Sequence, residues 1–308
     1  MMILIYLLLP LVCNAYPQWF QDYIHEHNKS YADIDKAYEI LKPKYESIVD
    51  TVDLGLKLHH FSDSRLQKNK QIRRRLKTNA SNVHTRHHLG TPASFNWKNK
   101  GFVTDVMRQG SCGGCFAIAA MGSLEFWYKK KSNKLLKMSI QQGLDCSRPI
   151  SDGCDGGLME DVYDMAMTHV IGPESWDSYK QHNSLCKHRR SKPWLKVNSY
   201  MVMSDEYMTP SVIESKIAHN LLSYGPIPIG IDSSSHAFEL YSSGVIKSHH
   251  CGKDIDHAVV IVGYTPDYWI VKNSWGKEWG EDGYFRIERN KNACGLATYA
   301  SFVTDASV

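Results

Sequence analysis

The chain opens on a nearly unbroken apolar run from Ile3 to Val12, followed by small Ala15. The run is too short to span a bilayer as a helix. Its length and the small residue behind it fit a secretory signal peptide over residues 1–15, although the charged n-region is missing apart from the α-amino group. A buried N-terminal strand or helix is the alternative. From residue 16 to about 60 the apolar positions adopt helical spacing. Trp19, Phe20, Tyr23, Ile24 and His27 recur at three- and four-residue intervals and make one face. Tyr38, Leu41, Tyr45 and Ile48 repeat the pattern around Pro43. A proline in a helix interior removes a hydrogen bond, so a kink or break is expected there.

The texture then turns polar. Lys68, Lys70, Arg73, Arg74, Arg75 and Lys77 have no acidic residue between them, and His84, His87, His88, Gly90 and Pro92 follow. Like charges and few apolar residues predict an exposed linker, with a boundary between 78 and 92. Such a stretch reads equally as a plain solvated linker or as a dedicated cleavage site. Beyond Pro92, Cys115 to Lys130 predicts a helix rich in Ala, Leu and Met. Past residue 195 short apolar or alternating runs broken by Gly and Pro predict strands at Ile227–Ile231, Ala258–Tyr264, Tyr268–Lys272 and Tyr284–Glu288. Helix first and strands second predict an α+β fold with two lobes after residue 92.

Composition changes this picture little: 43% hydrophobic and 22% charged residues describe an ordinary globular chain. A net charge of +4 is too weak to argue for nucleic acid, and no nucleic-acid motif is present. No further stretch is apolar enough for a membrane span. The cysteines say more. There are eight, and loss of Cys13 with the signal peptide leaves seven. An odd number in an oxidising compartment suggests three disulfides and one free thiol, with fifteen connectivities open among six cysteines.

The densest stretch is Gln109-Gly-Ser-Cys-Gly-Gly-Cys115-Phe-Ala. A cysteine that opens a helix has its thiolate favoured by the helix dipole and free backbone N–H groups, and a nearby imidazolium lowers its pKa further. That is the placement a cysteine nucleophile needs. Cys112 and Cys115 also have CxxC spacing, but the βαβ context of a redox dithiol is absent. Zinc would need a second ligand pair, which Cys146 and Cys154 do not frame with histidines. His257 leads directly into a β-branched run. Asn273 closes another strand and is followed by Ser274-Trp275-Gly276; an Asn there can orient an imidazole, and Trp275 can cover the pair from water.

Together these stretches resemble the papain family of cysteine peptidases, which includes the lysosomal cathepsins. The likeness is strongest in Gln109–Phe116, Gly153-Cys-Asp-Gly-Gly157, His257–Tyr264 and Asn273–Gly283. His257 falls within the roughly 130–150 residues that the family places between cysteine and histidine, and Asn273 slightly beyond. The resemblance implies a helical left lobe, an antiparallel β-barrel-like right lobe and a mainly helical propeptide. By position, Cys115 is the nucleophile, His257 the general base and acid, Asn273 its orienter, and Gln109 an oxyanion donor beside the backbone N–H of Cys115. It implies disulfides Cys112–Cys154, Cys146–Cys186 and Cys251–Cys294, each closing a loop of about forty residues and contributing ~3–4 kcal/mol. Gly156 and Gly157 would pair with extended substrate. Tyr299, with Leu158, Met159, Gly230, Ile255 and Ala258, would line the pocket for the second residue before the cut. That pocket is expected to be shallow and apolar, with Gly230 widening one wall.

The resemblance further implies residues 1–15 as signal peptide, 16–90 as inhibitory propeptide and 91–308 as the mature peptidase. Acid is expected to release the propeptide. The implied partners are protein or peptide substrates, the chain's own propeptide and inhibitors of the cystatin type; no cofactor or metal is implied, and the chain is expected to be a monomer. The implied location is the secretory pathway, ending in a lysosome-like compartment or outside the cell. Gly114 and Phe116 depart from the usual Ser/Ala and Trp/Tyr beside the nucleophile. The propeptide keeps the apolar positions of its helix and loses most polar ones, and His59, Phe61 and Asp63 match the following short motif only loosely. His249 and His250 lack the insertion of a histidine-bearing occluding loop, which favours an endopeptidase. Asn28 and Asn79 head glycosylation sequons. A catalytically impaired papain-like binding protein is the alternative function.

Overall fold

A computed structural model describes residues 16–50, 54–57, 91–148, 150–188, 192–204 and 208–308. The apolar run at 3–12, the basic stretch at 68–77, the motif at 59–63 and Asn79 lie outside the described residues. Helix α1 (Gln18–Glu26) and helix α2 (Ile34–Asp50) hold a small core of their own, in which Phe20, Tyr23, Ala37 and Leu41 are buried. This is the face that the three- and four-residue spacing predicts. Trp19 stacks on Tyr45 at 4.3 Å between ring centroids and joins the two helices. Helix α2 continues through Pro43 without a break. The packing of Ala37 and Leu41 against α1 offsets the missing backbone bond. Strand β1 (Gly55–Leu56) follows.

After β2 (Phe95–Asn96) come helices α3 (Cys115–Ser132), α4 (Ile140–Cys146) and α5 (Met159–Thr168). Then follow β3 (Lys196–Ser204), α6 (Pro210–Tyr224), β4 (Ile227–Ile231), the one-turn α7 (His236–Glu239), β5 (Tyr241–Ser243) and β6 (Val245–Ile246). Strands β7 (His257–Tyr264), β8 (Tyr268–Lys272), β9 (Tyr284–Glu288) and β10 (Tyr299–Ser307) complete the chain. The main sheet runs β3-β10-β4-β7-β8-β9-β6, with β2 also paired to β7. Its pairs are antiparallel except β6 with β9. Among the described residues the sheet ends at β3 and β6 and does not close, so the barrel-like lobe is an open sheet. Helix α6 was not expected among the strands of the second half. Its Ile213, Ile217 and Leu221 recur at four-residue spacing and are buried against the sheet.

Two cores define two lobes. One gathers α3, α4 and α5 around Phe116, Leu124, Leu144 and Tyr163, and takes in part of β10. The other lies under β4, β7, β8 and β9, around Ile229, Ile261, Trp269 and Phe285. Trp97 and Tyr224 pack against both. Cys115 begins the long helix of the first lobe and His257 begins the central strand of the second, so the lobe boundary brings them together. Disulfides join Cys112 to Cys154, Cys146 to Cys186 and Cys251 to Cys294. Cys115 is the free cysteine among the described residues.

Candidate active site

Cys115 is the first residue of α3, behind a loop of glycines that the fold requires. A side chain on Gly113 would meet the Cys154 carbonyl oxygen at 2.7 Å, and one on Gly157 would meet the Phe116 ring at 2.8 Å. Phe116 thus fills the aromatic position after the nucleophile by packing on Gly157. A Cβ on Gly114 would lie 3.2 Å from the Tyr179 phenol oxygen, so this departure leaves the room that Tyr179 occupies. The thiol is buried, with 6% of Cys115 exposed. Backbone hydrogen bonds from Ala258 and Phe116 favour its thiolate. Ala258 follows His257 in β7, so this contact ties the nucleophile's helix to the imidazole's strand.

His257 is fully buried. Its Nε2 lies 2.8 Å from Asn273 Oδ1. The same oxygen accepts from the backbone N–H of Ser274 at 2.8 Å. A backbone N–H can only donate, so Oδ1 is the acceptor for both groups and Nε2 carries the proton. Nδ1 is left to exchange a proton with another group. Trp275 stacks on the imidazole at 5.1 Å and 30°, and itself packs edge-on against Phe238 and Trp279. The indole therefore covers the His257–Asn273 bond.

Gln109 is held on three sides. Its backbone N–H donates to the Ser274 carbonyl at 2.8 Å, and its Oε1 accepts from the Ser274 hydroxyl at 2.7 Å. Its Nε2 donates to the Cys112 carbonyl at 3.2 Å. Bonding through Oε1 turns the amide nitrogen toward the loop that carries Cys115. Tyr179 donates its hydroxyl to the Gln109 carbonyl at 2.9 Å. Spacing along the chain gave no signal for Tyr179 or Ser274, whose roles exist only once distant segments meet.

Burial dominates the electrostatics. It pushes the Cys115 thiol up to about 11, against the backbone bonds that favour the thiolate. It pushes the His257 imidazole down to about 4, against the opposing hydrogen bond to Asn273. Moving the proton from sulfur to imidazole creates both charges together. At contact distance and an effective dielectric of 20 their attraction is about 4 kcal/mol, which offsets part of the burial penalty. Burial thus opposes each charge taken singly, and the attraction between the two charges favours the pair.

Glycines and apolar residues surround this pair. Gly156 has φ +118°, a conformation that disfavours side chains. Gly230 pairs with Ala258 across β4 and β7. The space beside Gly230 is already filled, since a Cβ there would fall 2.6 Å from Ile255 and 3.2 Å from Tyr299. Leu158, Met159, Ile255, Ala258 and Tyr299 are all buried. One potential metal-ligand cluster occurs among the described residues, Cys146, Cys186 and His188. Its two sulfurs are bonded to each other and offer no thiolate. Asn28 is exposed just past the end of α1, where a glycan would have room. No described helix is long and apolar enough to cross a membrane.

The free thiol of Cys115 at a helix start, the Ala258 backbone that reaches it and the His257–Asn273 pair next along the chain make up the candidate active site. The chain belongs to the papain family of cysteine proteases, whose family model matches residues 91–304. It is 33% identical over 323 aligned positions to a viral cathepsin of Choristoneura fumiferana nuclear polyhedrosis virus, covering 96% of each chain. It is 37% identical to cathepsin S of Rattus norvegicus, over 68% of this chain and 65% of that one. Among solved structures, the proform of the ragweed pollen protease Amb a 11 superposes with a TM-score of 0.79 at 30% identity, covering 92% of this chain and 91% of that one. The digestive procathepsin L2 of Tenebrio molitor gives 0.80 at 28% identity, with 93% and 98% covered. The protein is a papain-like cysteine peptidase.

Proposed function

We propose that the chain is the precursor of a cysteine endopeptidase, with residues 1–15 as signal peptide, 16–90 as inhibitory propeptide and 91–308 as the mature enzyme. The observation that carries the catalytic reading is the His257–Asn273 bond of 2.8 Å beside the free thiol of Cys115. Cys115 and His257 work as a thiolate–imidazolium pair, the thiol proton resting on His257 Nδ1, and Cys115 Sγ attacks the scissile carbonyl carbon. The carbonyl oxygen becomes an oxyanion, held by Gln109 Nε2 and the backbone N–H of Cys115; each such donor contributes about 3 kcal/mol. Collapse breaks the C–N bond, and the imidazolium returns its proton to the leaving amine. Water then attacks the thioester, with His257 taking a proton from it, and the acid product leaves as the thiolate–imidazolium pair is restored.

The precursor reading rests on contacts of the N-terminal segment. Strand β1 pairs antiparallel with β5, the Lys57 N–H donates to the Leu240 carbonyl at 2.9 Å, and Lys44 of α2 forms a buried ion pair with Glu239 of α7. The relatives solved in their proforms support the same arrangement. Passage through the secretory pathway, to a lysosome-like compartment or outside the cell, follows from the leader and the disulfides. An epoxysuccinyl thiol-protease probe tests the catalytic reading on acid-matured protein. Labelling at Cys115 that disappears in Cys115→Ala and His257→Ala is expected. Folded, matured protein that takes no label would overturn it and favour a papain-like binding protein.

A further inference from the structure

Tyr299 is the first residue of β10 and is fully buried. Its ring lies against Gly230, which is paired to Ala258, the neighbour of His257 in β7. The ring therefore occupies the wall that, on the reading above, faces the substrate's second residue before the cut. The tyrosine hydroxyl donates to Oε2 of Glu160. Glu160 lies in the first turn of α5, directly after Leu158 and Met159, and is only 6% exposed. Its other oxygen, Oε1, is buried and makes no close hydrogen bond, while the Ser301 hydroxyl two residues along β10 faces the same carboxyl and favours its charged form. Burial raises the carboxyl's pKa most; Tyr299, the backbone N–H of Glu160, Asp161 and Ser301 also act on it, and no basic group among the described residues is one of its main influences. An isolated buried carboxyl is costly in a fold, and such a group is informative about function.

We infer that Glu160 is a positioning residue for substrate selection: it tethers the Tyr299 ring across the second-residue pocket, and the ring masks the Glu160 carboxyl from the substrate. Two consequences follow from one geometry. While the tether holds, the pocket takes small and medium apolar side chains, and a basic side chain is turned away although a carboxyl lies behind the wall. Removing the ring opens a passage to that carboxyl, which has an oxygen free to accept from a guanidinium or ammonium group. The inference rests on the proposed active site and extends it to a residue outside the predicted pocket.

The test compares kcat/KM for peptides carrying Arg or Leu at the second position before the cut, with each preparation first titrated by the epoxysuccinyl probe. The parent enzyme is expected to prefer Leu over Arg at least tenfold. Tyr299→Ser should raise the Arg-to-Leu ratio at least tenfold, and adding Glu160→Gln to it should reverse that gain. An unchanged ratio in Tyr299→Ser, or a gain that survives Glu160→Gln, would overturn the inference. If Tyr299→Ser does not fold, Tyr299→Phe decides, because it keeps the ring and loses the tether. Its Phe-to-Val ratio at the same position should rise at least threefold, and a profile identical to the parent's would count against the inference. Failure of the parent to take the probe points instead to the active-site assignment.

Discussion

At the scale of single residues, the site depends on one amide. Asn273 Oδ1 serves both His257 Nε2 and the Ser274 N–H, so it fixes the imidazole's tautomer and its direction together. Asn273→Ala removes that acceptor and leaves the ring free to turn. Misplacement of a reacting group by about 1 Å can reduce rate roughly 100-fold, so kcat is expected to fall by ten- to a hundredfold with KM nearly unchanged. Steady-state kinetics on titrated enzyme checks this. The buried imidazole also makes a stability prediction. Its folded pKa is depressed from 6.5 to about 4, so between those values the unfolded chain binds a proton that the folded chain does not. Stability from this group is full above pH 6.5 and is lost as pH falls toward 4, by about 3 kcal/mol. Urea midpoints of a Cys115→Ser precursor at pH 7 and pH 4 should differ more than those of the same chain carrying His257→Gln. Equal losses would mean that the imidazole is not held neutral.

At the scale of elements, α3 and β8 deliver the nucleophile and the orienting amide, and a buried polar chain locks them together. Lys272, the last residue of β8, donates to the Thr104 hydroxyl at 3.1 Å, and Thr104 donates to Glu125 of α3. The Met138 N–H donates to the other Glu125 oxygen at 3.1 Å. Lys272→Met would leave the Glu125 carboxylate buried without its cation, a change that typically costs 3–5 kcal/mol. A clear drop in thermal midpoint is expected, largely recovered when Glu125→Leu is added. Helix α3 and strands β4, β7, β8 and β9 were legible in the sequence almost to the residue, because each has a continuous apolar pattern bounded by Gly or Pro. Cys115, His257 and Asn273 stood out in the sequence because each sits at an element's end beside a distinctive local run. Tyr179, Ser274 and Glu160 did not. Their partners Gln109 and Tyr299 lie far away in sequence, and periodicity carries no information about such pairs. At Pro43 the helix is not broken, and Leu41 is buried against the first helix on the same stretch.

At the scale of the whole molecule, the N-terminal segment is fastened to the sheet lobe at one corner. Strand β1 adds to β5, and Lys44 inserts its ammonium beside Glu239, both side chains nearly inaccessible to water. Acid release of the segment is the expectation raised by the sequence, but this pair does not supply it. Burial holds the Glu239 carboxyl above its usual range even with Lys44 beside it. A group whose pKa is raised in the docked state takes up a proton more readily docked than free, so falling pH does not weaken docking through Glu239. The pair acts through the charge it compensates. Lys44→Met leaves Glu239 buried and uncompensated, with a penalty of about 3 kcal/mol or more, equivalent to roughly a hundredfold in the opening equilibrium. The full-length Lys44→Met precursor should therefore mature at least tenfold faster than the parent at pH 7. Lys44→Met combined with Glu239→Leu should return the rate toward the parent's, because the burial remains and the stranded charge is gone. Band intensities of precursor and mature chain over time provide the measurement. A Lys44→Met precursor that matures no faster than the parent would show that the corner is not what holds the segment, and that the trigger lies among the residues between β1 and Thr91.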